Sequence, residues 1–303
     1  MIWVLHFTCT TSSSLVIFMT FEVGAPPEDP QLSRRLIREE TCTASAVHRV
    51  AAMLDLDATA LLHPMHLPRG WHFVLMAADT RRSALRSDGF PGLGIPMPDL
   101  GFPRLMLAGR TVKFHHDIPI GSKVSRSSAL TKIVAKNGAS GEMRMVTLEH
   151  DLAVEDLASP AIVETQTYFL LPARTESAAV VQPAGSVPVR AGRTKTVVPD
   201  DTLLFQYSAL CFNTHRIHLD RAHARDIEGF PDLVVNGGLA TLLLTEFLRD
   251  DLGVRPSALK SRHILPLYSN RPVTLAADKT ETGWRVQALD DMNRLAVDME
   301  VEI

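Results

Sequence analysis

Between Phe230 and Leu248 the chain carries a nearly unbroken apolar run, LVVNGGLATLLLTEFL. It is too long for a typical strand, and Gly237-Gly238 near its start predicts a helix from about Gly238 onward. Leu239, Leu242, Leu243, Phe247 and Leu248 cover more than one stripe, so this helix is predicted to be buried on most sides. Three strand-like segments follow, at Pro272 to Lys279, Trp284 to Leu289 and Leu295 to Ile303, with turns ending at Gly283 and spanning Asp290 to Asn293. In the last, Leu295, Val297, Met299, Val301 and Ile303 alternate with polar neighbours. The pattern is a helix followed by an antiparallel meander.

The amino-terminal part repeats that plan. Thr43 to Leu54 reads as a helix, with Val47, Val50, Met53 and Leu54 on one face and Thr43 as its cap. Arg110 to Pro119, Lys123 to Lys136, Glu142 to Val154 and Ala161 to Leu171 read as strands, and Lys136-Asn137-Gly138 reads as a hairpin turn. From Pro172 to Lys195 the sequence PARTESAAVVQPAGSVPVRAGRTK has no sustained period and marks a linker between units that each close a core. The expected organisation is an extension over residues 1–30, a first unit over 31–171, a linker over 172–195 and a second unit over 196–303. Both units are of α+β type.

The start of the chain is apolar from Met1 to Phe7 and from Leu15 to Met19, but Thr8 to Ser14 interrupts it with a polar block. No Lys or Arg precedes that block and no A-x-A-like site precedes Phe21, so a signal peptide is disfavoured and Met19 is an alternative start. No uninterrupted stretch reaches the ~20 apolar residues that a bilayer requires. Thirty-one Lys and Arg stand against 34 Asp and Glu, for a net charge of −3. That leaves no basic excess for nucleic acid. Cys9, Cys42 and Cys211 are an odd number without CxxC spacing, which fits a reducing cytoplasm better than a disulfide framework. Neither a dinucleotide fingerprint nor a P-loop is present, so nucleotide cofactors are not implied.

Chemistry concentrates between Phe205 and Asn236, FQYSALCFNTHRIHLDRAHARDIEGFPDLVVN, followed by Gly237. His218 is a natural proton carrier, because an imidazole titrates close to neutral pH. A competing reading makes His215, His218 and His223 metal ligands around Asp220, since HxxH on a helix puts two imidazoles on one face. No further Cys or carboxylate cluster completes such a site. His63 and His66 invite the same suspicion. His115 and His116, consecutive in a predicted strand, point to opposite faces and cannot share an ion.

This stretch resembles the MaoC-like, or hydratase-2, family of enoyl-thioester hydratases and dehydratases. The family motif is an acidic residue or its amide, His five positions later, then L/Y-D, and a Gly-rich turn opening a helix. Asn213, His218 and Asp220 fall on the first three, while Gly229-Phe230-Pro231 and Val235-Asn236-Gly237 match the turn. YSALCFNTHRIHLD from Tyr207 resembles the YSALTFNxHRIHYD of a narrower branch, typified by mesaconyl-C4-CoA (3-methylfumaryl-CoA) hydratase and itaconyl-CoA hydratase. Pro103 to Arg110 (PRLMLAGR) resembles that branch's PRRMWAGG. Leu67-Pro68 with Trp71-His72-Phe73 resembles its LPxxWHW, and Asp88 to Pro91 its DGHP. Asn236 stands where His is common, and Leu107 and Phe90 replace a Trp and a His.

The resemblance implies a double hotdog, two units that each wrap a curved antiparallel sheet around a central helix. It implies reversible addition of water to a short branched enoyl-CoA, with His218 moving the proton and Asn213 orienting the water. Backbone N–H groups at Gly237 and Gly238 would polarise the thioester carbonyl. Asn236 and His215 would line the site, and Arg104, Arg110 and Arg216 are candidates for CoA phosphates or a substrate carboxylate. The first unit, with Arg104 and Trp71 but no counterpart of the His motif, would shape the pocket. No metal and no cofactor beyond the CoA thioester is implied; a cytoplasmic homodimer is the expected form. The alternatives are a 3-hydroxyacyl-thioester dehydratase acting on acyl carrier protein or CoA substrates, and a non-catalytic acyl-thioester-binding protein.

Overall fold

The computed structural model describes residues 34–61, 65–138, 141–155, 157–173 and 192–303. The expected extension, Cys9, His63 and most of the expected linker lie outside the described residues. The first half contains β1 (Leu36–Thr41), α1 (Ala44–Met53), α2 (Ala58–Leu61), β2 (Arg104–Phe114), β3 (Lys123–Gly138), β4 (Gly141–Val154) and β5 (Ile162–Leu171). The second contains β6 (Arg193–Val197), α3 (Asp201–Leu210), α4 (Gly237–Glu246), β7 (Ala258–His263), β8 (Val273–Lys279), β9 (Gly283–Leu289) and β10 (Leu295–Glu302). All strands pair antiparallel in one sheet, in the order β1-β3-β4-β5-β2-β7-β10-β9-β8-β6.

Five strands of each half lie side by side, and β2 joins β7 in the register Gly109↔Arg262 to Lys113↔Ala258. Each half supplies one core helix. α1 begins where the Thr43 hydroxyl accepts the Ala46 N–H at 3.1 Å, satisfying a donor that the helix start leaves free. It turns Val47, Val50, Ala51 and Met53 inward. α4 is apolar nearly all round, as its sequence predicts, and continues through a π-turn over Phe247–Asp251. One hydrophobic cluster takes Val50 and Val112 from the first half with Leu244, Leu275 and Met299 from the second. The expectation that each half closes a separate core therefore does not describe the packing.

Other differences have local causes. β1 and β7 were not expected, because charged residues alternate with few apolar ones in LIREET and ALKSRH. β6 starts at Arg193, inside the expected linker. β2 starts at Arg104, because the strand passes Gly109 through a register shift that reads in sequence as a break. Asn137 and Gly138 are still paired in the ladder, with Glu142 and Gly141, so the expected turn does not fall on them. β2 ends at Phe114, so His115 and His116 lie in a bend and the opposite-faces argument does not apply to them.

Candidate active site

A cavity of about 880 Å³ is lined by both halves. His218 reaches it from a short 3₁₀ turn, Arg216–His218, that follows α3. The turn is set by Asn213, whose N–H donates to the Ser208 carbonyl at 2.8 Å and whose side-chain oxygen accepts the His215 N–H at 3.1 Å. Such an Asx turn is a local reason for an amide side chain at this position.

The His218 Nδ1 lies 2.7 Å from the Val234 carbonyl oxygen. A carbonyl can only accept, so Nδ1 carries the hydrogen and Nε2 keeps its lone pair. Burial pulls the His218 pKa down to about 3, with the neighbouring His215 charge adding to the shift. The imidazole is therefore neutral at physiological pH and able to take a proton. His215 packs edge-on to it, with ring centroids 5.5 Å apart. The His215 Nε2 stands 3.6 Å from Asp88 Oδ2. Burial lowers the His215 pKa against the opposing pull of Asp88 and Glu228.

Asp88 belongs to the first half, whose Asp88–Pro91 segment docks on this loop. The Asp88 carbonyl accepts the Arg216 N–H at 2.9 Å, and the Gly89 carbonyl accepts the Thr214 hydroxyl at 2.6 Å. Gly89 has φ +77°, and a Cβ there would lie 2.3 Å from the Thr214 carbonyl oxygen. Only glycine satisfies both conditions. Phe90, in place of the branch's His, packs against His215 with centroids 5.3 Å apart.

α4 begins beside His218. Its N-cap, Asn236, makes no capping bond with its side chain, and the first N–H groups of a helix have no intrahelical acceptor. Gly237 and Gly238 line the cavity there. Packing also demands them: a Cβ on Gly238 would fall 2.1 Å from the Tyr207 hydroxyl, and one on Gly237 would fall 2.9 Å from Leu107. Asn236 is buried, with its amide nitrogen 3.4 Å from Ser208 Oγ and its side-chain oxygen without a partner.

The three candidate arginines separate. Arg104 lines the cavity and pairs with Glu228 at 3.2 Å. Arg110 lines it while buried against Glu164, with Nε 2.7 Å from the carboxylate. Glu164 also bonds His72 Nε2 and Gln166 Nε2, each at 2.7 Å. The Arg110 guanidinium and the hydrogen bond with His72 hold the Glu164 carboxyl well below its ordinary range despite complete burial. Arg216 instead turns outward to Asp220 at 2.7 Å and is not part of the cavity wall. Trp71 is also absent from that wall; it is a core residue whose indole N–H donates to Glu246 at 2.6 Å. Among the described residues no group of three or more His, Cys, Asp or Glu side chains is placed to hold a metal ion.

Sequence reasoning assigned no role to Tyr207, Arg126 or His150, all of which line the cavity. Tyr207 stacks on Phe73 with centroids 4.9 Å apart. The available signal is their phase: Arg126 falls in register with Val124 and Leu130 on β3, and His150 with Leu148 and Leu152 on β4.

An antiparallel sheet with two central helices, around a cavity that holds a buried histidine beside a helix N-terminus, is the architecture of a double hotdog. The chain belongs to the hydroxyacyl-thioester dehydratase type 2 family, whose profile matches residues 70–269. It is 34% identical over 245 residues to the mesaconyl-C(4)-CoA hydratase of Chloroflexus aurantiacus, covering 80% of this chain and 85% of that protein. A MaoC-like dehydratase from Phytophthora capsici superposes with a TM-score of 0.64 at 12% identity, over 90% of this chain and 96% of that one. A conserved protein from Mycobacterium tuberculosis described as having a double hotdog fold superposes with a TM-score of 0.54 at 13% identity, over 90% and 96%. The expected α+β double hotdog and the MaoC-like resemblance both hold. No helix among the described residues is long and apolar enough to cross a membrane.

Proposed function

We propose that this enzyme reversibly hydrates a short branched enoyl-CoA that carries a free carboxylate, converting mesaconyl-C4-CoA to citramalyl-CoA. The observation that carries the reading is the neutral His218, whose Nδ1 is held by the Val234 carbonyl, in a cavity shared with the α4 N-terminus. Water held by Asn213 attacks the β-carbon as His218 Nε2 takes its proton. The electron pair of the double bond moves through the α-carbon onto the thioester oxygen, where the amides at Gly237 and Gly238 offset the charge. The imidazolium then returns a proton to the α-carbon, so one water is added and His218 is again neutral. These steps use a proton carrier and oxyanion donors that the chain supplies, and the reading includes no metal or cofactor. The first half is proposed to shape the acyl pocket, with Arg104 near the cavity wall.

The similarity to a mesaconyl-C(4)-CoA hydratase supports the substrate, and the buried polar groups of the first half suit a charged acyl group better than an alkyl chain. A cytoplasmic location is proposed, and the free thiols at Cys42 and Cys211 support a reducing compartment. A homodimer is supported by the exposed Phe205, Phe212 and Ile227. The experiment is to follow enoyl-thioester absorbance with mesaconyl-C4-CoA and with crotonyl-CoA. Loss of signal with the first is expected. Turnover of 3-hydroxyacyl-carrier-protein substrates with none of mesaconyl-C4-CoA would favour the dehydratase alternative, and binding without turnover the non-catalytic one.

A further inference from the structure

Along β3 the inward phase runs Val124, Arg126, Ser128, Leu130, all buried. Along β4 it runs Leu148, His150, Leu152, and His150 stands directly opposite Ser128 in the ladder. Apolar residues flank these three on both strands, with Val124 and Leu130 on β3 and Leu148 and Leu152 on β4. The His150 Nδ1 lies 2.8 Å from Ser128 Oγ, and all three side chains face the cavity that holds His218. Burial pulls the His150 pKa down to about 4, so it adds no charge of its own at neutral pH.

Arg126 differs from the other arginines of the cavity wall. It is 3% exposed, yet among the described residues no carboxylate lies within ion-pair distance of it. Its Nη1 makes long bonds to the Leu75 and Ala77 carbonyls, at 3.2 and 3.4 Å, its Nη2 reaches Ala77 at 3.5 Å, and its Nε has no partner. Arg38, Glu40 and Asp79 act on it only from farther away, and Asp79 is already held by Arg38 at 2.7 Å. A buried cation without a counter-ion is strongly unfavourable, and the usual compensation is an anion that meets it. A guanidinium fork matches a carboxylate in two parallel bonds.

We propose that Arg126, Ser128 and His150 form a subsite for the free carboxylate of the acyl group, so that the cavity selects dicarboxylic monothioesters over plain enoyl thioesters. The proposal rests on the reading of the cavity as an acyl-thioester site and extends it from reaction type to selectivity. Arg110 does not compete for this role, because Glu164 already occupies its Nε and Nη2.

Mesaconyl-C4-CoA carries a carboxylate that crotonyl-CoA lacks, while both carry the same CoA. Arg126→Gln is expected to lower kcat/KM for mesaconyl-C4-CoA by about 10- to 100-fold, the range for losing hydrogen bonds to a charged group. Activity on crotonyl-CoA should be unchanged, and Arg126→Lys should recover part of the loss. Equal losses on both substrates would overturn the proposal and place Arg126 at the CoA end or in the scaffold. Calorimetric binding of the two thioesters to a His218→Ala protein reads the subsite without turnover. A preference for mesaconyl-C4-CoA that Arg126→Gln abolishes supports the subsite even if the hydration reading fails; equal affinities sink it. If Arg126→Gln does not fold, Arg126→Lys and His150→Gln carry the same comparison.

Discussion

The two halves use the same frame, a helix against five antiparallel strands, but they place their polar groups in opposite layers. In the second half the inward rows of β8, β9 and β10 are apolar: Val273, Leu275 and Ala277; Val286 and Ala288; Val297, Met299 and Val301. Its chemistry-bearing residues, Asn213, His215 and His218, sit on the connection after α3. In the first half the sheet itself carries polar groups, with Arg110, Glu164, His150, Ser128 and Arg126 spread over β2, β5, β4 and β3. The difference teaches that a buried sheet face tolerates charge when its groups satisfy one another, as Arg110, Glu164, His72 and Gln166 do. Arg126 differs from them: among the described residues it meets backbone carbonyls and no carboxylate within ion-pair distance.

The division of roles between the halves breaks most sharply at His218. His218→Ala is expected to lower kcat by about 10²–10⁴, the range for a positioned proton-transfer group, while the protein stays folded and binds CoA thioesters. A near-normal kcat would return the chemistry to some other group.

Much of this half was legible in the sequence. α4 and the β8–β10 meander follow from unbroken or alternating apolar positions, and His218 with Asn213 follows from a motif. β1, β6 and β7 were not legible, because short strands with alternating charges resemble loops. Arg126 and His150 were missed for a related reason: a lone polar residue in a strand reads as part of its solvent face until the phase is fixed by its buried neighbours. Trp71 and Arg216 were drawn toward the site by motif position, but hydrogen bonds to Glu246 and Asp220 direct them elsewhere.

Contact between the halves is tested by Gly89→Ala. A side chain at φ +77° facing the Thr214 carbonyl should cost about 1–3 kcal/mol in stability and disturb the loop that holds His215. A thermal midpoint and kcat both equal to wild type would show that the Asp88–Pro91 segment does not order the loop that carries His215 and His218. A smaller effect is expected for Arg104→Ala, which should raise KM more than it lowers kcat, as when uniform binding is removed. A fall in kcat at constant KM would give the first half a direct part in the reaction.

The smallest effects are in pH dependence. With the His218 pKa drawn down to about 3, activity should show no rising limb in the ordinary histidine range near pH 6.5. Asn213→Asp adds a negative charge near the imidazole and should move that limb to higher pH. An unmoved profile would show that the two side chains do not interact. Stability carries the same sign. His150, drawn down to about 4, and His218 and His263, drawn down to about 3, stay neutral in the fold while the unfolded chain protonates below about pH 6.5. Acidification from there should lower the stability and with it the thermal midpoint. A midpoint independent of pH between 4 and 6.5 would mean that these rings take up protons without unfolding. Exhaustive chelation should leave activity intact, and loss restored by zinc would overturn the metal-free chemistry.

Both hotdogs belong to one covalent chain and meet where β2 pairs with β7, and that has a consequence for what the interior can become. In an assembly of two identical subunits related by a two-fold axis, every residue appears twice. A buried arginine would then have to be accommodated in both interiors, including the one beside the loop that carries His218. A single chain removes that constraint. Each interior can mutate without its mirror copy, so one half can hold Arg126 and Glu164 while the other keeps an apolar wall, and the cavity between them can have two unlike ends.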